Sequence, residues 1–282
     1  MTRFAGAPLR VLPFERLLFA SDTLAVGTHR LPADDPRFES YGPTSAHLIV
    51  FPRNHTIIEH AGGARFVGSP AVAPLYNRGQ EYRRHRLSAE GDFCEWFAVA
   101  PELLREIVGR DDDRPLRAPF VRVEPSDYLR QRGVVEHVLR GGSDALFVEE
   151  TMMAVLRRIL VEDRQSCLSP PSRQAGLPVL HAAEIVGRTF KHNHSLTRIA
   201  REAGTSPFHL ARTFKRVMGT TLHQHRLAVR LHTSLAMLRD TRDDISTIAL
   251  DLGFTDHSHF TVSFRRRFGI TPSAYRRGAT FS

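Results

Sequence analysis

Cysteine is scarce in this 282-residue chain, with Cys94 and Cys167 the two present. Two thiols cannot build a disulfide framework or a cysteine-rich zinc site, so a reducing, cytoplasmic setting is expected. Lysine is equally rare, at Lys191 and Lys215, and arginine supplies nearly all the positive charge. Long apolar runs are missing, and none approaches the ~20 residues that cross a bilayer, so no membrane partner is expected. Met1 to Arg10 is too short and polar for a secretory signal. A nucleophile elbow is lacking, and the glycine pairs at Gly62-Gly63 and Gly141-Gly142 are too short to cradle a phosphate. These gaps point away from the common hydrolases and nucleotide enzymes, and neither a cofactor nor a catalytic residue is expected.

What is present is a charge asymmetry. The net charge is +9, and residues 178–282 hold 16 basic against 7 acidic side chains. Residues 1–177 hold 23 of each, so the whole excess sits in the last third. A basic module joined to a neutral one suggests a polyanion-binding part and a part with another task.

The basic part repeats itself. Ile199-Ala200, Gly204, Leu210, Phe214-Lys215, Gly219, Thr221 and Arg226 recur as Ile248-Ala249, Gly253, Phe260, Phe264-Arg265, Gly269, Thr271 and Arg276. The offset is 49 residues for the first three positions and 50 for the rest. Self-similarity at fixed spacing marks one supersecondary unit used twice. Each copy sets a glycine between two helical patterns, as a helix-turn-helix does. Ser206 with Pro207, Asp244 and Asp256 suit helix starts, and Pro178 suits the first position of an earlier helix. Leu222 to Arg239 reads as a connecting helix of roughly 25 Å, about right to hold two reading helices one duplex turn apart.

With Leu210, Phe214 and Val217 turned inward, the same helix exposes Phe208, Arg212, Lys215 and Arg216, with Ala211 at the side. With Phe260, Phe264 and Phe268 inward, the second exposes Ser258, Val262, Arg265 and Arg266, flanked by Thr261. Arg212 has the fork that fits guanine, and Phe208 suits thymine methyls or sugars. Lys215, Arg216, Arg265 and Arg266 suit phosphates, which set register without reading bases. A solvated helix face explains any one such row; two matching rows favour double-stranded DNA.

The first 123 residues read as strands. Leu48–Phe51, Thr56–Ile58, Arg65–Val67 and Phe93–Val99 are short β-branched or aromatic runs between turn formers. Short strands at close spacing suggest a barrel or sandwich. Pro101 to Val108 reads as a short helix. Ser126–Arg140 and Asp144–Val161 read as two amphipathic helices, the second with Leu146, Met153, Leu156 and Leu160 near one face, suited to core packing or to dimer contact. Serines and prolines across 164–177 suggest a linker.

Gly253-Phe254, Ser258, Phe260, Phe264, Gly269, Thr271-Pro272 and Tyr275-Arg276, with Leu196 through Gly219, resemble the signature of the AraC/XylS family of bacterial transcription regulators. The resemblance covers about 178–278. It implies two helix-turn-helix subdomains joined by a long helix, promoter binding, and usually activation through RNA polymerase. In similar proteins a cupin-like β-barrel precedes them and senses a small molecule, with dimerisation helices after it. The order of elements here fits that plan. The expected fold is therefore multidomain α+β: a cupin-like sensor over 1–123, a helical dimerisation region over 124–163, a linker over 164–177 and an all-α DNA-binding domain over 178–282. The expected function is a sequence-specific transcription regulator, an activator and homodimer answering to an effector of unknown identity. Val262 departs from the family, whose members often carry a polar or basic reader there; Thr205 and Ala211 are likewise less polar than in many relatives.

Two other classes remain. One is a metal-dependent cupin enzyme fused to a DNA module. Against it, His29, His47, His55, His60, His85 and Glu59 show no close His-x-His followed by Glu, and no metal site is expected. The other is an architectural DNA binder without sequence preference. Cys94 reads as a small core residue; Cys167 is the better candidate for reactivity. The run Arg83, Arg84, His85, Arg86 reads either as a charged edge strand or as a set with members turned inward to an anionic effector at Tyr82, Arg84 or Arg86.

Overall fold

A computed structural model describes residues 3–278 except 6, 40–41, 64, 88–90, 111, 143 and 163–172. The chain divides into two compact units, Met1–Ser169 and Pro170–Ser282. Cys167 and residues 164–172 of the expected linker lie outside the described residues.

The first unit is built on antiparallel strands. A small hairpin, β1 (Arg3–Phe4) and β2 (Ala7–Pro8), precedes β3 (Glu15–Ala20), β4 (Leu24–Leu31), β5 (His47–Pro52), β6 (Thr56–His60), β7 (Arg65–Gly68), β8 (Val72–Tyr76), β9 (Tyr82–His85), β10 (Asp92–Val99) and β11 (Phe120–Arg122). Six strands form one sheet in the order β11-β8-β5-β10-β4-β3, and three form another in the order β7-β6-β9. The two sheets face each other over a core of Ile58, Phe66, Tyr76 and Phe120. The strands expected from β-branched and aromatic runs are all present, in two separately hydrogen-bonded sheets. The hairpin β1–β2 and strands β3, β4, β8 and β11 were not foreseen. Glycine in β4 and prolines in and beside β8 blur the period-two signal there.

Strand β10 is central. Its alternation sends Asp92, Cys94 and Trp96 inward and Glu95 to the opposite face. Behind it lie α1 (Pro101–Val108), α2 (Pro125–Leu139) and α3 (Ala145–Arg157), the last running into a π-helical turn at Arg158–Glu162. Fully buried Glu95 binds Arg53 and, at 2.8 Å, Arg132 of α2, which also reaches Glu136 at 3.2 Å. Tyr128 of α2 donates to the Pro52 carbonyl at 3.3 Å. These bonds fix α2 to the sheet.

On α3 the buried stripe is Val148, Met152, Val155 and Leu156, continuing to Ile159. The expected stripe through Leu146 and Met153 is corrected. Both are exposed, together with Phe147, because a stripe drawn through them lies about 100° round the helix from the one that packs on α2 and α1.

The second unit is helical: α4 (Arg173–Thr189), α5 (Leu196–Glu202), α6 (Pro207–Met218), α7 (Leu222–Asp240), α8 (Ile245–Asp251), α9 (His257–Phe268) and α10 (Pro272–Arg276). Residues 173–177, expected as linker, belong to α4, and Pro178 lies inside that helix rather than at its first position. A proline so near the start removes one backbone bond beyond the first turn. The buried row Val179, Ala182, Ala183 and Val186 holds the helix regardless. Helix α7 buries residues all round, including His225, Arg230, His232 and Ser234, while Leu227 is only half-buried. It packs against α4 and α6 and also against α8, α9 and α10, which is why burial runs all round it.

Candidate nucleic-acid interface

Helix α6 starts where its sequence dictates. Ser206 Oγ accepts from the His209 N–H at 3.2 Å, and Pro207 occupies the first helical position. Leu210 and Phe214 are completely buried, which leaves the opposite face to solvent. Helix α9 repeats the plan. Asp256 accepts from the His259 N–H at 2.7 Å, a bond that holds its carboxyl below the usual range. Phe260, Phe264 and Phe268 form an edge-to-face ladder with centroids 5.7 and 4.7 Å apart.

The turns before these helices match bond for bond. The Gly204 N–H donates to Arg201 and that of Thr205 to Ala200. The Gly253 N–H donates to Leu250 and that of Phe254 to Ala249. Both glycines are left-handed, at φ +71° and +82°. The offset then grows by one residue because Thr255 is inserted before the cap Asp256. The ends match as well. Gly219 and Gly269 are left-handed, and Thr221 and Thr271 cap α7 and α10. Arg226 donates to the His194 carbonyl at 3.0 Å and Arg276 to the Leu238 carbonyl at 3.3 Å.

The expected surface residues lie on the expected faces. Phe208, Ala211, Arg212, Lys215 and Arg216 are exposed on α6. Ser258, Val262, Arg265 and Arg266 are exposed on α9, and Thr261 is half-exposed with its hydroxyl 3.5 Å from His257 Nε2. Phe208 stands 78% exposed and Val262 65%, so each offers bare apolar surface in the middle of a polar row. Among the described residues none of the five cations in these rows is in an ion pair.

The first unit holds a cleft of about 960 Å³ at one end of its sheets and a chamber of about 40 Å³ between them. Glu15, Leu48, Tyr82 and Trp96 line both. Arg84, 2% exposed, lines the inner chamber and binds Asp92 at 2.6 Å and His29. Burial alone would lower the Arg84 pKa, but the Asp92 charge raises it; Arg84 in turn pulls Asp92 down against its own burial. Arg86 lies beyond β9, exposed, its Nε 4.0 Å from Glu39 and its guanidinium over Phe38; it lines neither space. Strand β9 is an edge strand, with Arg84 inward and Arg83 outward. Cys94 is buried on β10 and burial pushes its thiol well up, as suits a core residue.

A helix-turn-helix domain model matches residues 199–278. The transcriptional regulator Rob of Salmonella typhimurium is 40% identical over 88 residues, which is 31% of this chain and 30% of Rob. The regulatory protein SoxS of Escherichia coli is 38% identical over 78 residues, 28% of this chain and 73% of SoxS. The chain belongs to the AraC/XylS family. It spans about a third of the length of Rob, and the match falls in the second unit. A solved transcriptional regulator from Chromobacterium violaceum, described as an AraC-type DNA-binding domain-containing protein, is 30% identical, covering 36% of this chain and 89% of that one, with a TM-score of 0.35.

The matched segment runs from α5 through α10 and so contains α6 and α9. Sequence reasoning missed the polar residues that work from inside it. Arg226 reads from the chain as a repeat position and Arg230 is not singled out there, yet both turn onto backbone carbonyls. The signal at Arg230 was its place four residues after the repeat arginine within a leucine-rich helix. In the first unit Glu15, Asp92 and Trp96 were missed, and His29 was weighed only as a metal ligand, because these residues meet only across paired strands.

Proposed function

We propose that this protein is a sequence-specific DNA-binding transcription regulator whose helices α6 and α9, in two helix-turn-helix subdomains, enter successive major-groove segments of one duplex. The observation that carries this is the duplicated face: two capped helices after identically bonded glycine turns, each exposing cations and one bare apolar side chain. Arg212 is the guanine reader and Phe208 the methyl or sugar contact; Lys215, Arg216, Arg265 and Arg266 hold phosphates. Ala211, Ser258, Thr261 and Val262 complete the surface, with base reading by α9 resting on small and apolar contacts. The protein acts as an activator through RNA polymerase.

The first unit is, on this reading, a cupin-like sensor over 1–123 followed by dimerisation helices over 124–163. The paired cleft and chamber support an effector site that Tyr82 and Arg84 reach. Arg84 brings its own carboxylate, so the effector this favours is polar rather than specifically anionic. Exposed Leu139, Leu146, Phe147 and Met153 on α2 and α3 support a homodimer contact.

Selection of duplexes from a random pool by the full chain tests the reading. One recovered sequence, bound far more tightly than its scrambled version at cellular ionic strength, is the expected result. Equal binding to scrambled DNA would make the protein an architectural binder instead.

A further inference from the structure

The proposed reading leaves open what holds α6 and α9 at a fixed separation. Helix α7, 19 residues long and therefore roughly 28 Å, runs between them. A helix end alone does not fix the tilt or rotation of the motif beyond it. The middle of α7 carries Arg230, which is only 6% exposed.

Its guanidinium faces the segment after α4 on one side and the second copy of the repeat on the other. Nε donates to the Phe190 carbonyl at 2.7 Å, and Nη2 reaches the Lys191 carbonyl at 3.3 Å and Asn193 Oδ1 at 3.0 Å. Those groups lie just past the end of α4, which packs on α5 and α6. On the other side the same guanidinium lies 5.7 Å from the centroid of Phe254, the residue after the second turn glycine. The Phe254 ring packs edge-on to Phe260 of α9 at 5.1 Å. The turn is pressed hard against the clamp: a Cβ on Gly253 would lie 2.0 Å from the Lys191 carbonyl oxygen and 2.8 Å from Arg230 Nη2.

The chemistry of the clamp is geometric rather than ionic. Among the described residues Arg230 makes no ion pair, and its charge is met by carbonyl and amide oxygens. Burial, with Arg226 adding to it, lowers its pKa to about 10, so it stays charged at neutral pH. Carbonyls just beyond a helix C-terminus favour a cation. A planar fork can serve three oxygens and a ring at once, which an ammonium cannot.

We propose that Arg230 is a positioning residue for DNA recognition: by bolting the end of α4 to the Gly253–Phe254 turn, it sets the base-pair spacing the two reading helices accept. This rests on the DNA reading above. One inserted base pair moves the second half of a site by about 3.4 Å along the duplex and turns it about the axis. A clamped pair of heads cannot follow, whereas a loosened pair can.

The test uses the full chain and the duplex it selects from a random pool, with and without one base pair inserted between the halves. Arg230→Lys is the direct variant. Asn193→Ala and Phe254→Leu act on the clamp from its two sides and serve if Arg230→Lys does not fold, as judged by thermal melting. The wild type is expected to lose roughly thirtyfold in affinity on insertion, and the variants about threefold or less, with each separate half-site bound as before. Variants that keep the full insertion penalty, or that weaken native and inserted duplexes by one common factor, overturn the clamp while leaving the DNA reading intact. A wild type indifferent to insertion overturns it too. A wild type that selects no sequence overturns both.

Discussion

Replacing the two turn glycines by alanine should have very different consequences, although the sequence gives them the same role. At Gly204, φ is +71° and a Cβ would meet nothing within 4 Å. Gly204→Ala therefore carries only the strain of a left-handed alanine, about 1 kcal/mol. At Gly253, φ is +82° and a Cβ would sit 2.0 Å from the Lys191 carbonyl oxygen. That oxygen must retreat by about 1 Å before the contact becomes tolerable, because real Cβ contacts shorter than 3.0 Å are essentially unknown. The retreat disturbs the bonds from Arg230 to the Phe190 and Lys191 carbonyls. Strain plus one disrupted charge-assisted bond gives about 3–5 kcal/mol. A chain of two units need not unfold in one step, so a local measurement is required. Hydrogen exchange over peptides spanning 245–268 should accelerate by roughly a hundredfold or more in Gly253→Ala, and over 196–218 by about fivefold in Gly204→Ala. Equal acceleration at the two turns, or a larger effect at Gly204, would refute the packing account.

Arg212→Ala should weaken DNA binding by about 1–3 kcal/mol and relax one base preference in a repeated selection. Arg265→Ala should weaken all duplexes alike and lower the slope of log affinity against log salt by about one; an unchanged sequence profile for Arg212→Ala would remove its base-reading role. His225 is buried edge-on to Phe214, and burial lowers its pKa to about 4 from 6.5. Its neutral form is the folded one, so its share of stability is complete above pH 6.5 and is lost as pH falls toward 4. That share is about 3 kcal/mol. Melting of His225→Gln against pH should be flatter across that window than the wild type. Glu95→Ala leaves Arg53 and Arg132 without their shared carboxylate and should destabilise the first unit by about 3 kcal/mol, read as quenching or shift of the single tryptophan, Trp96, at lower denaturant.

The helical tail was legible because its signals are local. Caps at Ser206, Asp244 and Asp256, glycines at turns and phenylalanines at helical spacing each act within a few residues, and they repeat. The exposed rows on α6 and α9 followed from that periodicity alone. The helices after the sheet were legible in extent but not in facing. Which side of α3 is buried depends on where α2 and α1 present their surfaces, and so the stripe through Leu146 and Met153 was misplaced. Half the strands were legible, namely those whose β-branched and aromatic residues are not interrupted.

By itself the sequence determined the family, the duplicated motif and the faces that α6 and α9 turn to solvent, because periodicity and capping are properties of neighbouring residues. Only the tertiary structure decided that Arg84 lies inside against Asp92, that Glu95 ties the sheet to α2, and that Arg230 meets both the end of α4 and Phe254. Each of those groups finds its partner across a distance in the chain that no local pattern encodes. The energy of a buried charge depends on what the fold brings beside it, and that is decided only when distant segments pack.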